Sequence, residues 1–282
     1  MNISSGIASL VDLERYPLDR PGTPAWQALV DDCRRQHEAV GAANLQGFVR
    51  PAAVAPLAAE ANRLLQRGYQ KTHYRSAFFR DDDPSLPADH PRRRMWVEGS
   101  LQLADDQIGP DTLIRAIYAW DPLTEFIAAV EERAALYRMA DEFQALNIIA
   151  HGEGEQLPWH FDVNDFTITL LLQAPVAGGA FVYAPELRRD GEPDYDAIRA
   201  IFEGDMGRVR SLPRLAGTLT LFRGRNHFHA VTPVEGTVPR VTAILTYDEK
   251  PDCVSTERGN TFIYGPRVAE IYRRRREAAA AA

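Results

Sequence analysis

Two stretches of sequence decide the fold: LPWHFDVNDFTITLLLQ at residues 157–173 and GTLTLFRGRNHFHAVTPVEGTVPRVTAILTYDE at residues 217–249. Each contains short apolar segments that are rich in β-branched and aromatic residues and are separated by Gly, Pro or Asp. Similar segments occur at 145–152, 180–185 and 208–213. Because many short strands in series are typical of an antiparallel sandwich or barrel, we predict a mainly β fold for this part of the chain.

The region before these strands has helical patterns. Thr23 is a typical N-cap for a helix over 24–40, and a proline begins an Ala- and Leu-rich helix over 51–68. Two shorter helices are predicted at 111–120 and 122–134. We therefore expect a helical N-terminal layer that packs on the β-rich part.

Two polar stretches interrupt these patterns. Residues 71–94 contain DDDPSLPADHPRRR and are expected to form an irregular loop. Residues 187–207 form a polar insert within the β-rich part, with a helix predicted at 194–202. We predict a single domain made of a mostly helical support region at 1–134, a β core at 135–250, and a C-terminal tail at 251–282 that ends in a frayed helix.

Composition limits the possible classes of protein. The chain has 282 residues, of which 45% are hydrophobic and 25% charged, and a formal net charge of −7. These values argue against a disordered or fibrous protein and against binding to the nucleic-acid backbone. No apolar run reaches the roughly 18 residues of a membrane span, and no signal peptide is visible. The two cysteines, Cys33 and Cys253, are too few for a disulfide framework. We expect a cytoplasmic enzyme without nucleic-acid or membrane partners; the sequence indicates no oligomeric state.

His160, Asp162 and His229 form the pattern that points to chemistry. Side chains at positions i and i+2 of a strand point to the same face, so His160 and Asp162 can reach one metal ion from a single strand. His229 lies on a later predicted strand and joins them if the barrel closes. Two imidazoles and one carboxylate are the ligands of non-haem Fe(II) oxygenases, in which open positions remain for a co-substrate and O2. A shifted strand register would bring His227 to the metal in place of His229.

Arg240 and Thr242 strengthen this interpretation. They lie two residues apart on the strand after His229 and therefore share a face. A guanidinium beside a hydroxyl is a good receptor for a carboxylate, because its planar fork donates two parallel hydrogen bonds. The order of His-x-Asp, a second His and then Arg-x-Thr is the pattern expected of 2-oxoglutarate oxygenases.

The same segments carry a resemblance to a known family. The stretches are WHFDVNDFTITLLLQAPVAGGAFVYAPE at 159–186, GTLTLFRGRNHFHAVTPVEG at 217–236 and RVTAILTYDEKP at 240–251. They resemble the Fe(II)/2-oxoglutarate-dependent dioxygenases. Within that superfamily they are most similar to bacterial ArpA-like proteins, which are related to enzymes that hydroxylate or chlorinate free amino acids.

The resemblance implies both a fold and a reaction. The implied fold is a double-stranded β-helix, which is a jelly-roll of the cupin type. The implied cofactor is Fe(II), held by His160, Asp162 and His229, and the implied co-substrates are O2 and 2-oxoglutarate, the latter held by Arg240 with Thr242. In such enzymes 2-oxoglutarate is decarboxylated to succinate while a C–H bond of a small molecule, here an amino acid or a related biosynthetic intermediate, is hydroxylated.

Asp162 distinguishes two reactions within this family. The chlorinating relatives have Gly or Ala at the position of the carboxylate ligand, which leaves a coordination position for chloride. This sequence has Asp162, which is expected to fill that position. We therefore predict a hydroxylase and not a halogenase.

Further site residues are proposed from their positions near these motifs. Arg223 and Arg225 flank the glycine of LFRGR and either contact the co-substrate or brace the turn before the ligand strand. Asn147 lies on a strand whose inner face approaches the co-substrate, although a strand amide of this kind is equally consistent with a structural role. His151, beside glycines, is expected to lie in a loop as a structural or solvated residue.

Substrate-binding candidates lie around the expected mouth of the barrel. Ile244 and Thr246 continue the face of Arg240 toward the substrate, although core packing is an equal alternative for Ile244. Asn164 and Asp165 follow the first metal ligands and either cap a turn or bind a substrate amine. Arg94 lies in an arginine cluster that could bind a substrate carboxylate.

Two other functions are compatible with the same pattern. A cupin-like module could bind a metal or ligand as a sensor without catalysis, although such a module does not need both the metal ligands and Arg240. An oxygenase of the same fold could also desaturate or cyclise its substrate in place of hydroxylating it.

Overall fold

The computed structural model describes residues 3–213 and 215–281. The first two residues of the predicted support region and the last residue of the predicted tail lie outside the described residues. The α-helices are α1 Ile3–Leu10, α2 Pro24–Val40, α3 Pro51–Leu65, α4 Leu113–Tyr118, α5 Asp121–Val130, α6 Tyr195–Phe202, α7 Glu257–Tyr264 and α8 Pro266–Ala280.

The strands are shorter and more numerous than the helices. The N-terminal strands are β1 Ala42–Leu45, β2 Tyr69–Ser76, β3 Met95–Leu103 and β4 Tyr137–Arg138. The middle strands are β5 Leu146–His151, β6 Leu157–His160, β7 Thr167–Gln173, β8 Ala177–Gly178, β9 Phe181–Ala184, β10 Arg188–Arg189 and β11 Glu192–Pro193. The last strands are β12 Arg210–Ser211, β13 Leu219–Phe222, β14 Phe228–Val231, β15 Val234–Glu235, β16 Arg240–Leu245 and β17 Tyr247–Asp248.

Two antiparallel sheets form the centre of the molecule. The larger has seven strands in the order β1-β13-β7-β16-β5-β3-β2, and the smaller has four in the order β12-β9-β14-β6. Phe222 on β13 joins them, because its ring centroid lies 5.0 Å from that of Phe181 on β9 and 4.8 Å from that of His229 on β14. The sequence prediction of an antiparallel β-rich part with helices is confirmed.

The predicted loop at 71–94 is wrong in its first part. Residues Tyr69–Ser76 form β2, which pairs with β3 along its whole length. Polar side chains occupy both faces of β2, so the apolar alternation that identifies a strand is missing. With β1 and β3, this strand shows that the predicted helical support region also supplies three strands of the larger sheet.

The helix signals correspond to the structure more closely. The Thr23 hydroxyl accepts a hydrogen bond from the Trp26 N–H at 3.3 Å, and Gly41, with φ 75°, ends α2 in the left-handed conformation. The two short helices are confirmed with different ends, because Thr112 caps α4, α5 begins at Asp121, and Glu132 leaves the helical region at φ 55° after α5. No helix among the described residues combines the length and the apolar character that are needed to cross a membrane.

The hydrophobic core lies between the helices and one face of the larger sheet. Along β7, Ile168, Leu170 and Leu172 point to this face and join the largest buried cluster. The alternate residues, such as Thr169 and Leu171, point to the other face, toward the smaller sheet. Central strands of the larger sheet such as β7 therefore have one face that packs against helices and one face that is available for a site.

Replacing Leu170 by alanine tests this assignment of the faces. Leu170 is fully buried, and its loss should lower the free energy of unfolding by about 3 kcal/mol, since a buried leucine leaves a cavity. Leu215, which is 66% exposed, is the matched control, and Leu215→Ala should change stability by less than about 0.5 kcal/mol. Equilibrium urea unfolding measures both values, and equal losses would contradict the assignment.

Candidate metal centre

Strand pairing brings the two predicted histidine ligands together. His160 is the last residue of β6, and His229 on β14 lies directly opposite it in the antiparallel register. Their ring centroids are 4.1 Å apart. Asp162 was expected on the same strand as His160, but it lies two residues past the strand end. There its N–H donates a hydrogen bond to the Gly224 carbonyl at 3.0 Å.

The three side chains form a compact group of potential ligands. Asp162 Oδ1 lies 3.4 Å from the Nε2 of His160 and 3.4 Å from the Nε2 of His229. Within the described residues, this is the one set of three His, Cys, Asp or Glu side chains whose ligand atoms lie within 4.8 Å of one another. All three groups are at least mostly buried, so the arrangement could hold one divalent metal ion.

Hydrogen bonds orient both imidazoles for this task. The Pro158 carbonyl lies 2.8 Å from His160 Nδ1, and the His227 carbonyl lies 2.9 Å from His229 Nδ1. A carbonyl oxygen accepts a hydrogen bond, so Nδ1 is the donor in each of these contacts and Nε2 is the ring atom that faces Asp162. Outer-shell bonds of this kind fix the tautomer of metal-ligating histidines.

The electrostatics favour the protonation states that a metal requires. Burial and the neighbouring His229 and Arg75 lower the pKa of His160 to about 3, so its imidazole is neutral at pH 7. Burial alone would raise the pKa of Asp162, but His229 and His160 hold this pKa well below its usual range. A neutral imidazole and an ionised carboxylate are the forms that bind a metal ion.

Asp162 is held by two residues that sequence reasoning missed. The Thr167 hydroxyl donates a hydrogen bond to Asp162 Oδ2 at 2.7 Å, which leaves Oδ1 for the histidines. Gly224 leaves the space for this carboxylate, because a Cβ on Gly224 would lie 2.0 Å from Oδ2. The glycine of LFRGR was the signal, since a backbone that passes close to a functional group commonly requires glycine.

Arg240 and Thr242 lie on the inner face of β16. Arg240 Nη1 donates a hydrogen bond to Thr242 Oγ1 at 2.6 Å, and Arg240 is 4% exposed. In the part of the chain that the structure describes, no carboxylate lies within 4.0 Å of this guanidinium, and burial lowers its pKa to about 10. A buried guanidinium without an anion is a costly arrangement that a bound carboxylate would relieve.

The weaker co-substrate candidates have other contacts. Asn147 on β5 is buried and lies opposite Ile244 of β16. Its side-chain amide donates a hydrogen bond to the Gln144 carbonyl. Arg223 forms an ion pair with the buried Glu131, which braces the turn beside Asp162. Arg225 is more than half exposed and donates to Asp165 at 2.7 Å. The structure therefore brings Asn147 to the inner face of the sheet. Arg223 and Arg225 instead pair with Glu131 and Asp165.

The substrate candidates are likewise divided. Ile244 is partly buried on the inner face of β16, whereas the Thr246 hydroxyl donates to the Gln144 carbonyl at 2.9 Å. Asn164 is exposed, and Asp165 forms surface ion pairs with Arg133 and Arg225. Arg94 is exposed, donates to the Phe202 carbonyl of α6 and stacks on Trp96. Only Ile244 of this set faces the interior between the sheets.

His151 does not lie in a loop as expected. It is the last residue of β5, lies opposite Arg240 and is 3% exposed. Neither of its ring nitrogens has a hydrogen-bond partner among the described residues. Burial and the charges of Arg240 and Arg75 lower its pKa to about 3, so His151 is a neutral, buried group beside Arg240.

A comparison with known protein families identifies the family of this chain. The family model described as halogenase D matches residues 25–261, which is most of the chain. The chain belongs to the halogenase D family. No curated protein matches the sequence significantly.

Several solved structures share the fold of this halogenase D family member. The α-ketoglutarate-dependent carbocyclase SnoK from nogalamycin biosynthesis is 14% identical, with a TM-score of 0.54 and coverage of 79% of this chain and 85% of that chain. The epimerase SnoN from the same biosynthesis is 18% identical, with a TM-score of 0.53 and coverage of 78% and 81%. AviO1 from Streptomyces viridochromogenes Tue57 is 17% identical, with a TM-score of 0.52 and coverage of 77% and 93%. At these identities the likeness shows a shared fold, which this chain has in common with proteins described as α-ketoglutarate-dependent.

Gly224→Ala tests whether the close approach of this backbone sets the metal site. The added Cβ would displace Asp162, so the affinity for Fe(II), or for Mn(II) as a stable substitute, should fall about tenfold or more. Gly109 is the matched control, since a Cβ there meets no atom within 4 Å and Gly109→Ala should leave the affinity unchanged. Calorimetric metal titration of both variants gives the comparison, and an unchanged affinity in Gly224→Ala would contradict this role.

Proposed function

We propose that the protein is an Fe(II)- and 2-oxoglutarate-dependent oxygenase that hydroxylates an unactivated C–H bond of a small molecule. We place the substrate among the amino acids or intermediates derived from them, and 2-oxoglutarate is decarboxylated to succinate in the reaction. The observation that carries this proposal is the convergence of Asp162 Oδ1 with the Nε2 atoms of His160 and His229 at 3.4 Å each.

The protein's part in this chemistry is to hold and orient groups. His160, Asp162 and His229 would hold Fe(II), which supplies the site where O2 is activated. Pro158 and Thr167 fix the orientation of the ligands through the hydrogen bonds described above. The largely buried position of the three ligands excludes bulk water from the reacting groups.

Arg240 supports the assignment of 2-oxoglutarate as the co-substrate. Its unpaired, buried guanidinium and the adjacent Thr242 hydroxyl form a receptor for the distal carboxylate of a keto-diacid. His151 faces the same region from β5. SnoN has been crystallised with Fe³⁺ and α-ketoglutarate, which agrees with this pairing of metal and co-substrate in a protein of the same fold.

The arrangement of the two sheets supports a double-stranded β-helix core. The seven-stranded and four-stranded sheets face each other through Phe222, and the proposed metal ligands lie on the smaller sheet or at its edge. Arg240 lies on the inner face of the larger sheet. In this interpretation the co-substrate binds between the two walls of a jelly-roll, as the resemblance implies.

Asp162 favours hydroxylation within a family whose model is described as a halogenase. The carboxylate is present, ionised, and fixed by Thr167, and Gly224 leaves room for it. A halide would have to displace this ligand from the metal. Halogenation is nevertheless the second candidate, because the family model matches residues 25–261. Carbocyclase and epimerase activities are named for proteins of the same fold, so oxidative outcomes other than hydroxylation form part of the test.

The central experiment is aerobic turnover with Fe(II), 2-oxoglutarate and ascorbate, with and without a panel of free amino acids, in chloride and in chloride-free buffer. We expect wild type to release succinate and to add one oxygen atom to a panel member, independently of chloride. Asp162→Ala should lose hydroxylation, because one of the three protein ligands is removed. Mass spectrometry of products and succinate provides the measurement.

The other outcomes identify the alternatives. Chloride-dependent incorporation of chlorine by wild type would establish a halogenase. Loss of two hydrogen atoms without added oxygen would establish desaturation or cyclisation. Absence of succinate, together with absence of the charge-transfer band that Fe(II) and 2-oxoglutarate give under nitrogen, would favour a non-catalytic sensor.

Arg240→Lys tests the co-substrate site separately. Lysine retains the charge but lacks the fork that binds both carboxylate oxygens, so the KM for 2-oxoglutarate should rise about tenfold or more while kcat falls less. Arg189, whose side chain is 73% exposed, provides the control substitution Arg189→Lys, which should leave both constants unchanged. An unchanged KM in Arg240→Lys would remove Arg240 from the site.

A further inference from the structure

The inner face of β2 and β3 is buried and polar. The strand register places Lys71 opposite Ser100 and His73 opposite Glu98, and alternation brings Arg75 to the same face. Lys71, Arg75 and Glu98 are each 7% exposed. Burial of so many ionisable groups costs free energy, and none of them belongs to the proposed metal or 2-oxoglutarate sites. We call Lys71, His73, Arg75, Glu98 and Ser100 the polar strip. Binding of a ligand at the polar strip would explain why these groups are buried.

Arg75 is the member of the strip that lies nearest the metal ligands. Its Nη2 lies 3.5 Å from the Pro158 carbonyl, which also accepts the hydrogen bond from His160 Nδ1. The Phe79 ring centroid lies 4.4 Å from the Arg75 guanidinium carbon and 5.6 Å from the His160 ring. Phe79 is half exposed and covers the guanidinium from the solvent side. The Phe79 ring therefore contacts both Arg75 and the proposed metal ligand His160.

Arg75 has few partners for its donors. It contacts Glu98 as an ion pair in which both side chains are less than one tenth exposed. The contact with Pro158, which is long, is the one hydrogen bond that Arg75 donates within residues 3–213 and 215–281. A guanidinium has five N–H groups in a rigid fork, so most of these donors have no acceptor. An incoming acceptor would relieve this deficit.

The charges of the strip select the sign of that acceptor. Lys71 and Arg75 are positive and Glu98 is the single acid among the strip residues. Burial and the charges of Lys71 and Arg75 lower the pKa of His73 to about 4, so His73 is neutral at pH 7. The strip therefore has one positive charge more than it has negative charges, which suits a ligand with one anionic group.

We propose that Arg75 binds a carboxylate of the substrate and that Glu98 positions Arg75 for this contact. This inference rests on the proposed function, because it assigns the substrate end of the same site. The guanidinium fork can bind both carboxylate oxygens, and its place beside His160 puts the attached carbon chain next to the metal ligands. The sequence suggested Arg94 for this contact, but Arg94 is exposed and donates a hydrogen bond to the Phe202 carbonyl of α6.

The two carboxylate receptors are separate. Arg240 lies on β16 and Arg75 on β2, with β5 and β3 between them in the sheet. His151 on β5 lies opposite Arg240 in the strand register. The co-substrate and the substrate can therefore each pair with their own arginine.

The test measures binding in the full-length protein, so it does not depend on turnover. The thermal unfolding midpoint is recorded with each of the common free L-amino acids and with the matching C-terminal amide, without metal and with Fe(II) and 2-oxoglutarate under nitrogen. We expect at least one free acid to raise the midpoint by about 2–5 °C at saturation and its amide to have no such effect.

Four variants identify the arginine responsible. Arg75→Ala and the double variant Arg75→Gln/Glu98→Gln should both lose the preference for acid over amide. The double variant removes both charges, so it avoids an unpaired buried glutamate that could unfold the single variant. Arg94→Ala is the competing arginine and should retain the full preference, as should Arg240→Ala.

The other binding outcomes contradict the proposal. If acid and amide stabilise wild type equally, or if no acid stabilises it, the substrate carboxylate has no receptor at Arg75. A preference that survives in the double variant, or that is lost only in Arg94→Ala or Arg240→Ala, assigns the carboxylate to another site. Absence of succinate with an intact acid preference would instead contradict the proposed function while leaving this site in place.

Discussion

The antiparallel pairing of β14 with β6 places His229 opposite His160, and the proposed metal centre depends on this register. A shift of one residue would turn the imidazole to the other face of the smaller sheet. His227 does not compete for the position, because its Nδ1 accepts a hydrogen bond from the Glu186 N–H at 3.0 Å and its ring packs against Phe222. Its carbonyl instead orients His229, so both histidines contribute, but in different ways.

Asp162, the third proposed metal ligand, is positioned by the residues around it and not by strand register. It lies beyond the end of β6, so strand geometry alone does not place it. The turn that contains Gly224 accepts its N–H, and Thr167 at the start of β7 holds one of its oxygens. Arg223 in the same turn is paired with the buried Glu131 after α5, and Glu131 also contacts His37 of α2 at 3.0 Å. The helical layer therefore reaches the metal centre through this ion-pair network, which connects the N-terminal region with the position of a proposed ligand.

The sequence was sufficient for the strands with an apolar face and for the helices with clear caps. It was also sufficient to bring His160, Asp162 and His229 together, through the His-x-Asp motif and the later histidine, although Asp162 lies beyond the end of the strand. It failed for β2, where Lys71, His73 and Arg75 replace the apolar alternation that marks a strand. It also placed His151 in a loop, because the glycine beside it resembles a turn signal.

These two errors have the same physical origin. Residues that face a binding site are selected for their chemistry, so they do not follow the apolar pattern from which strands are identified. The failure at β2 and at His151 therefore marks the inner face of the larger sheet, and both segments lie beside Arg240 or the metal ligands. Arg94 gives the opposite error. Its arginine cluster suggested a substrate site, but Arg94 lies on the surface and donates a hydrogen bond to the Phe202 carbonyl.

The two faces of the larger sheet have opposite energetic roles. The outer face packs Ile168, Leu170 and Leu172 against the helices and supplies hydrophobic stabilisation, whereas the inner face holds Arg240 and Arg75 with too few acceptors. Desolvation of two guanidinium groups opposes folding, and the outer face must offset this cost. Carboxylates that bind at these arginines would reduce the same desolvation cost. The free energy recovered in this way would add to the binding affinity for those carboxylates. The helical layer thus supports the site energetically as well as geometrically, because without its apolar contacts the sheet could not maintain a charged interior.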